Sequence, residues 1–246
     1  MEHPARERET SVARNYFAGA RSGWIVVAAA CFVFLINIVS PPRLMDDVDA
    51  VQAQIARNML NSGDWVTARL DGVAYLEKAP LVYWAMAASY AVFGVHDWSA
   101  RLPLALAVVL LCWVTYRMGR WAFDEEAGMF AGIILATSAG LFLFTRILIP
   151  DAMLTLAITG AIWAWLRLLE PDEQRPYRWA ALMGLCFGLG LLLKGLIAVV
   201  FPVLAGFAYM AITRQMFSLA AWKKLDLWLV GAIALLIAAP WHVMAA

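Results

Sequence analysis

Three carboxylates fall within four residues, at Asp46, Asp47 and Asp49. At that spacing they repel one another, which favours a shared proton or a shared cation; the plain alternative is the solvated start of a loop. Further along, ionisable residues stand singly among apolar ones: Glu77-Lys78, Arg101, Arg146, Asp151, Lys194 and His242. Charge at membrane depth is costly, so each is a candidate for function. Lys194 interrupts a long apolar stretch and either snorkels or meets an anion, and the anion is favoured. Glu77-Lys78 also reads as a neighbour pair, Arg101 as a helix-start charge, and His242, beside Pro240-Trp241, as an interface residue.

These residues need elements to position them, and composition says in which solvent. Hydrophobic residues make up 63% of the 246 and charged residues 15%, against about 45–50% and about 25% in soluble domains. The chain is therefore an all-α, polytopic membrane protein, because only helices or closed barrels satisfy every backbone group in lipid. A net charge of +1 gives no electrostatic case for nucleic acid. Cys31, Cys112 and Cys186 lie far apart in apolar runs and read as buried small residues. Residues 1–22 are polar, with no small-x-small cleavage pattern after the first apolar run, and read as a cytoplasmic segment before an uncleaved span.

Spans are expected at 23–40, 102–118, 126–145, 152–169, 179–193, 196–212 and 226–243, about seven in all. The basic loops carrying Arg117 and Arg120, Arg167, Arg175 and Arg178, and Arg214, Lys223 and Lys224 orient the chain with those loops inside. That assignment survives only if the short apolar run 81–95 lies on or dips into the outer face without crossing. Residues 41–101 then form the first external loop of a membrane module covering 23–246. Within it Val48, Val51, Ile55 and Met59 recur at helical spacing, opposite Gln52, Gln54, Arg57, Asn58 and Asn61. This predicts an amphipathic juxtamembrane helix over 49–62, with Gly63 as a left-handed cap and Asp71-Gly72 as a tight turn.

The stretch from Asp46 through Ile55-Ala-Arg-Asn-Met-Leu-Asn-Ser-Gly-Asp-Trp-Val-Thr67 resembles the first external loop of the GT-C glycosyltransferases. Protein O-mannosyltransferases and lipid A aminoarabinose transferases belong to that superfamily. The likeness continues through Tyr75-Leu-Glu-Lys-Ala-Pro-Leu-Val-Tyr-Trp84, Ala100-Arg-Leu-Pro103, Arg146-Ile-Leu-Ile-Pro-Asp151, Lys194-Gly195 and Pro240-Trp241. It implies a polyprenyl-phosphate-linked sugar as donor, a lipid, glycan or protein acceptor, and a site on the extracytoplasmic face of a bacterial inner membrane. It also implies a first-loop aspartate as general base: Asp47, with Asp49 as the close alternative and Asp46 in the same cluster. The family's usual Asp-Glu pair is absent here, so the register stays open.

Such a reaction needs positive charge on the departing phosphate, which Lys78, Arg101, Lys194 and His242 would supply. Glu77 and Asp151 would pair with these cations or hold a divalent metal through oxygen ligands. An apolar trough between spans would take the isoprenoid tail, a membrane lipid. Family members are considerably longer, which admits a partner chain supplying further C-terminal spans, or an inactive or truncated GT-C-like partner protein. A transporter is the remaining alternative, disfavoured by the lack of repeats and by charges gathered at one interface.

Overall fold

The computed structural model describes the backbone of residues 4–39, 44, 47–75 and 77–245; side chains are described from residue 21, except 39 and 47. Eleven helices are present among the described residues: α1 (Pro4–Val39), α2 (Asp47–Ser62), α3 (Leu81–Phe93), α4 (Asp97–Ala122), α5 (Glu125–Ala136), α6 (Ala139–Phe144), α7 (Asp151–Leu169), α8 (Pro176–Lys194), α9 (Ile197–Ile212), α10 (Leu219–Lys224) and α11 (Leu227–Met244). One small antiparallel hairpin pairs β1 (Arg69–Leu70) with β2 (Val73–Ala74). Among the described residues five helical segments are long and apolar enough to cross a membrane, within α1, α4, α7, α8 and the α10–α11 stretch.

The contacts carry the chain between the same two ends along two further paths. The run 126–145, expected as one span, breaks at Thr137–Ser138 into α5 and α6. Thr137 Oγ1 donates back to the Ile133 carbonyl at 3.0 Å, the kind of local bond that bends a helix. α9 has 16 residues and returns from Lys194 to the end where Met210 packs with Trp165 and Leu225.

α1 and α4 run antiparallel. A Cβ on Gly23 would stand 3.0 Å from the ring of Tyr116, while Val26, Ala30, Phe34 and Ile38 pack with Ala105, Val108 and Cys112. α3 lies between them in the chain. Its 13 residues span only about 20 Å at 1.5 Å per residue, short of a roughly 30 Å hydrocarbon core.

The start of α4 shows how the short helix is fastened. Pro103 lies inside α4 and has no N–H, so the Ser99 carbonyl loses its helical donor. Ser89 of α3 supplies the missing hydrogen bond, its hydroxyl donating to that carbonyl at 2.6 Å.

The first loop follows its expected turns. Gly63 takes φ +71°, and its N–H donates to the Met59 carbonyl at 3.0 Å. Asp71 and Gly72 both have positive φ, 51° and 81°, as a primed hairpin turn requires. α2 buries Ile55, Ala56 and Met59 against Val82, Tyr83, Met86 and Tyr90 of α3. Gln52, expected on the polar face, is 1% exposed. The helical period places position 52 on the stripe of 55, 56 and 59, and it is buried with them.

Candidate active site

Asp49 is buried, and both its oxygens are engaged. Oδ2 accepts from Arg101 Nη2 at 2.9 Å, and Oδ1 accepts from the Leu148 N–H at 2.8 Å. Arg101 is 1% exposed. Its Nε donates to the Arg146 carbonyl at 2.9 Å and its Nη1 to the Asp97 carbonyl at 3.4 Å. One ion pair thus ties the start of α2, the start of α4 and the segment 146–148. Enclosed in this way, Arg101 spends its guanidinium on Asp49 and two carbonyls, and each Asp49 oxygen already accepts a hydrogen bond. The structure thus pairs the two expected site residues with each other, and the pair holds the loop in place. Its anchor at Leu148 is a backbone amide, which no side-chain motif announces.

Asp47 opens α2 two residues earlier; its side chain, and Asp46 altogether, lie outside the described residues. Lys194 closes α8, and its Nζ donates to Asp151 Oδ1 at 2.6 Å, at the start of α7. Each charge sits at the helix end whose dipole favours it. The two side chains are 42% and 37% exposed, so water reaches this pair as it cannot reach the first. Gly195, with φ +66°, reverses the chain directly after Lys194.

Glu77 is exposed and accepts from the Tyr75 hydroxyl at 3.0 Å. Burial and this acceptor push the Tyr75 phenol above its ordinary value. Among the described residues no three His, Cys, Asp or Glu side chains cluster to hold a metal. Asp151 is matched by Lys194, and Glu77 by the Tyr75 hydroxyl. Lys78 is half-buried three residues before Leu81.

The end of α11 belongs to the same region. Trp241 Nε1 donates to the Val66 carbonyl at 2.9 Å, across 175 residues. Trp84 Nε1 reaches the Trp65 carbonyl at 2.8 Å. His242, next to Trp241, is exposed, and its Nδ1 lies 2.8 Å from the Ala238 carbonyl. A carbonyl only accepts, so the proton is on Nδ1 and Nε2 is the nitrogen left for another partner. Asp64 folds the loop between these tryptophans. Hydrogen bonds from the Thr67 and Val66 amides hold its carboxyl below the usual range.

Beneath this end lies an apolar cavity of about 470 Å³ between α3, α4, α7 and α8. Leu81, Met153 and Leu193 line it; they are near sequence neighbours of Lys78, Asp151 and Lys194. Leu110, Trp163 and Leu182 line it further from that end. A charged rim over a largely apolar trough suits an amphiphile with an anionic head.

Residues 77–244 match the dolichyl-phosphate-mannose-protein mannosyltransferase family. The chain belongs to this family. It is 29% identical over 194 residues, 77% of its length, to the undecaprenyl phosphate-alpha-4-amino-4-deoxy-L-arabinose arabinosyl transferase of Shewanella sediminis, of which it spans 34%. Its fold is similar to the crystal structure of ArnT from Cupriavidus metallidurans in the apo state, with a TM-score of 0.82 and 28% identity over 92% of this chain and 42% of that one. The structure of the same ArnT bound to undecaprenyl phosphate gives 0.81, again at 28% identity, over 91% and 41%. The mannosyltransferase-family domain is thus an integral membrane, GT-C-type helical module, and it spans well under half the length of the relatives it matches.

Proposed function

We propose that this chain is the membrane module of a glycosyltransferase that moves a sugar from a polyprenyl-phosphate donor, undecaprenyl phosphate by analogy with the ligand of ArnT, to a lipid, glycan or protein acceptor. The observation that carries the reading is the half-exposed Lys194–Asp151 pair above the apolar cavity. The isoprenoid chain occupies the cavity, and the phosphate displaces or joins Asp151 on the Lys194 ammonium. Lys78 and His242 Nε2 are the further groups of this end that can contact the phosphate.

In the reaction the acceptor hydroxyl attacks the anomeric carbon, the bond from that carbon to the phosphate oxygen breaks, and Asp47 takes the hydroxyl proton. The departing phosphate gains negative charge, which an ammonium held beside it stabilises more in the transition state than in the ground state. The basic loops at the opposite end support a bacterial inner-membrane location with the site on the periplasmic side.

The test uses purified protein, labelled polyprenyl-phosphate sugars and an extract of candidate acceptors. Transfer by the wild type, lost about 10²–10⁴-fold in Asp47→Asn with donor binding retained, is expected. Lys194→Ala should lose donor binding and turnover together. No donor binding by the wild type with any labelled polyprenyl-phosphate sugar overturns the reading. Full transfer in Asp47→Asn removes that residue from the mechanism.

A further inference from the structure

A second cavity, of about 450 Å³, lies at the opposite end of the bundle, between α1 and α4. Trp24, Val27, Trp113, Tyr116, Arg117 and Arg120 line it. Its two cations are held differently. Arg120 Nε pairs with Glu125 at 2.8 Å, and its Nη1 donates to the Tyr116 hydroxyl at 3.4 Å. Arg117 has no acidic partner among the described residues. It is exposed, and its guanidinium lies over the Trp113 ring, 5.1 Å from the centroid. That cation–π contact fixes the plane of the guanidinium while leaving its N–H groups for a ligand. Two arginines against one glutamate leave this wall a net charge of +1.

The opposite wall is shaped for a chain. Trp24 is 74% exposed and Val27 follows it by one turn, so an apolar strip runs from the cavity toward the middle of the bundle. Gly23 brings α1 close to the Tyr116 ring, which closes the floor. An exposed tryptophan beside arginines marks the level where headgroups meet acyl chains.

We propose that this cavity binds the headgroup of an anionic phospholipid. A singly charged phosphodiester matches the net +1, its oxygens accept from Arg117 and from the unpaired N–H groups of Arg120, and an acyl chain follows Trp24 and Val27. The site lies at the end away from Lys194 and Asp151, so it is independent of the transferase reading. Guanidinium suits such a site because it can donate two parallel hydrogen bonds to phosphate oxygens.

The test is native mass spectrometry and thermal denaturation of the purified full chain in detergent. Phosphatidylglycerol or phosphatidylcholine is added at matched acyl composition, with glycerol phosphate as a separate arm. Phosphatidylglycerol should be retained and should raise the melting temperature; phosphatidylcholine and glycerol phosphate should not. Arg117→Gln should lower phosphatidylglycerol occupancy about fivefold, the loss expected from about 1 kcal/mol per basic residue near an anionic surface. Arg178→Gln, a charge loss of equal size elsewhere at the same end, should leave occupancy unchanged. Equal retention of the two lipids, an equal loss in both variants, or full competition by glycerol phosphate would each overturn the site. Should Arg117→Gln fail to fold, Trp24→Ala carries the same test through the chain-binding wall.

Discussion

The Asp49–Arg101 pair invites a perturbation whose cost follows from its burial. The side chains are 7% and 1% exposed, so replacing one partner strands the other charge away from water. Arg101→Met leaves the Asp49 carboxylate with the Leu148 amide alone and takes the donor from the Arg146 carbonyl. Breaking a buried pair by removing one partner costs about 3–5 kcal/mol. In the double variant Asp49→Asn/Arg101→Met neither charge remains, and the asparagine oxygen still accepts from Leu148. What is left is the unpaired carbonyl, at about 1–3 kcal/mol. The double variant should thus be more stable than Arg101→Met. The assay is equilibrium unfolding in bicelles by steric trapping, read as a double-mutant cycle. The pair Lys194→Met, Asp151→Asn and their combination is the control. Its members are more than a third exposed, so each change should cost only about 0–1 kcal/mol. Costs for Asp49→Asn and Arg101→Met that simply add, or a loss under about 1 kcal/mol in Arg101→Met, would refute the claim that the pair is enclosed.

Two further outcomes test other parts of the fold. A Cβ at Gly184 would meet the Val230 carbonyl oxygen at 2.8 Å and at Gly188 the Ile237 Cβ at 2.8 Å; Gly184→Leu should therefore cost about 1–3 kcal/mol and weaken cysteine cross-linking between α8 and α11, while unchanged cross-linking would mean that α11 packs elsewhere. Asp64 has a lowered carboxyl in the folded state, so its contribution to loop order is complete above the unfolded value of about 3.9 and is lost as pH falls through the lower folded value. Hydrogen exchange of the Val66 and Thr67 amides should show protection falling in that acid window in the wild type. Asp64→Asn should show no such titration, and an identical acid loss in that variant would exclude Asp64 as its cause.

Much of this architecture was legible because it depends on local periodicity. Apolar runs near the bilayer thickness gave the long helices, and the parity of the basic loops set 81–95 apart as a short run, where the structure has the 13-residue α3. Gly63 and Asp71-Gly72 were readable because few other residues take positive φ cheaply. What escaped was non-local. Arg101 reads in sequence as a lone cation, and its partner lies 52 residues away. The Leu148 amide has no sequence signature at all. Gln52 reads as polar and therefore outward, yet it is buried on the stripe of Ile55, Ala56 and Met59. The break at Thr137–Ser138 sits inside an apolar run, where hydropathy is blind to a side-chain hydroxyl bonding back onto the helix.

In the proposed site the two ion pairs at the first-loop end would divide the work of holding it rigid and leaving it open. An enclosed pair can hold distant segments in register, since desolvation makes its geometry expensive to leave. For the same reason it cannot exchange partners with a substrate. A half-exposed pair has the opposite properties: Lys194 and Asp151 stabilise the fold little, and an incoming phosphate can take the place of the carboxylate at small cost. Placing Asp49 two residues after Asp47 couples the two tasks. The carboxylate that anchors α2 to the α4 start and to the 146–148 segment also fixes where the first turn of α2 points, and a displacement of about 1 Å there would cost on the order of 10²-fold in rate. Arg101→Met should accordingly reduce transfer together with stability, whereas Asp47→Asn should reduce transfer alone. Those two signatures separate the residue that holds the site from the residue proposed to act in it.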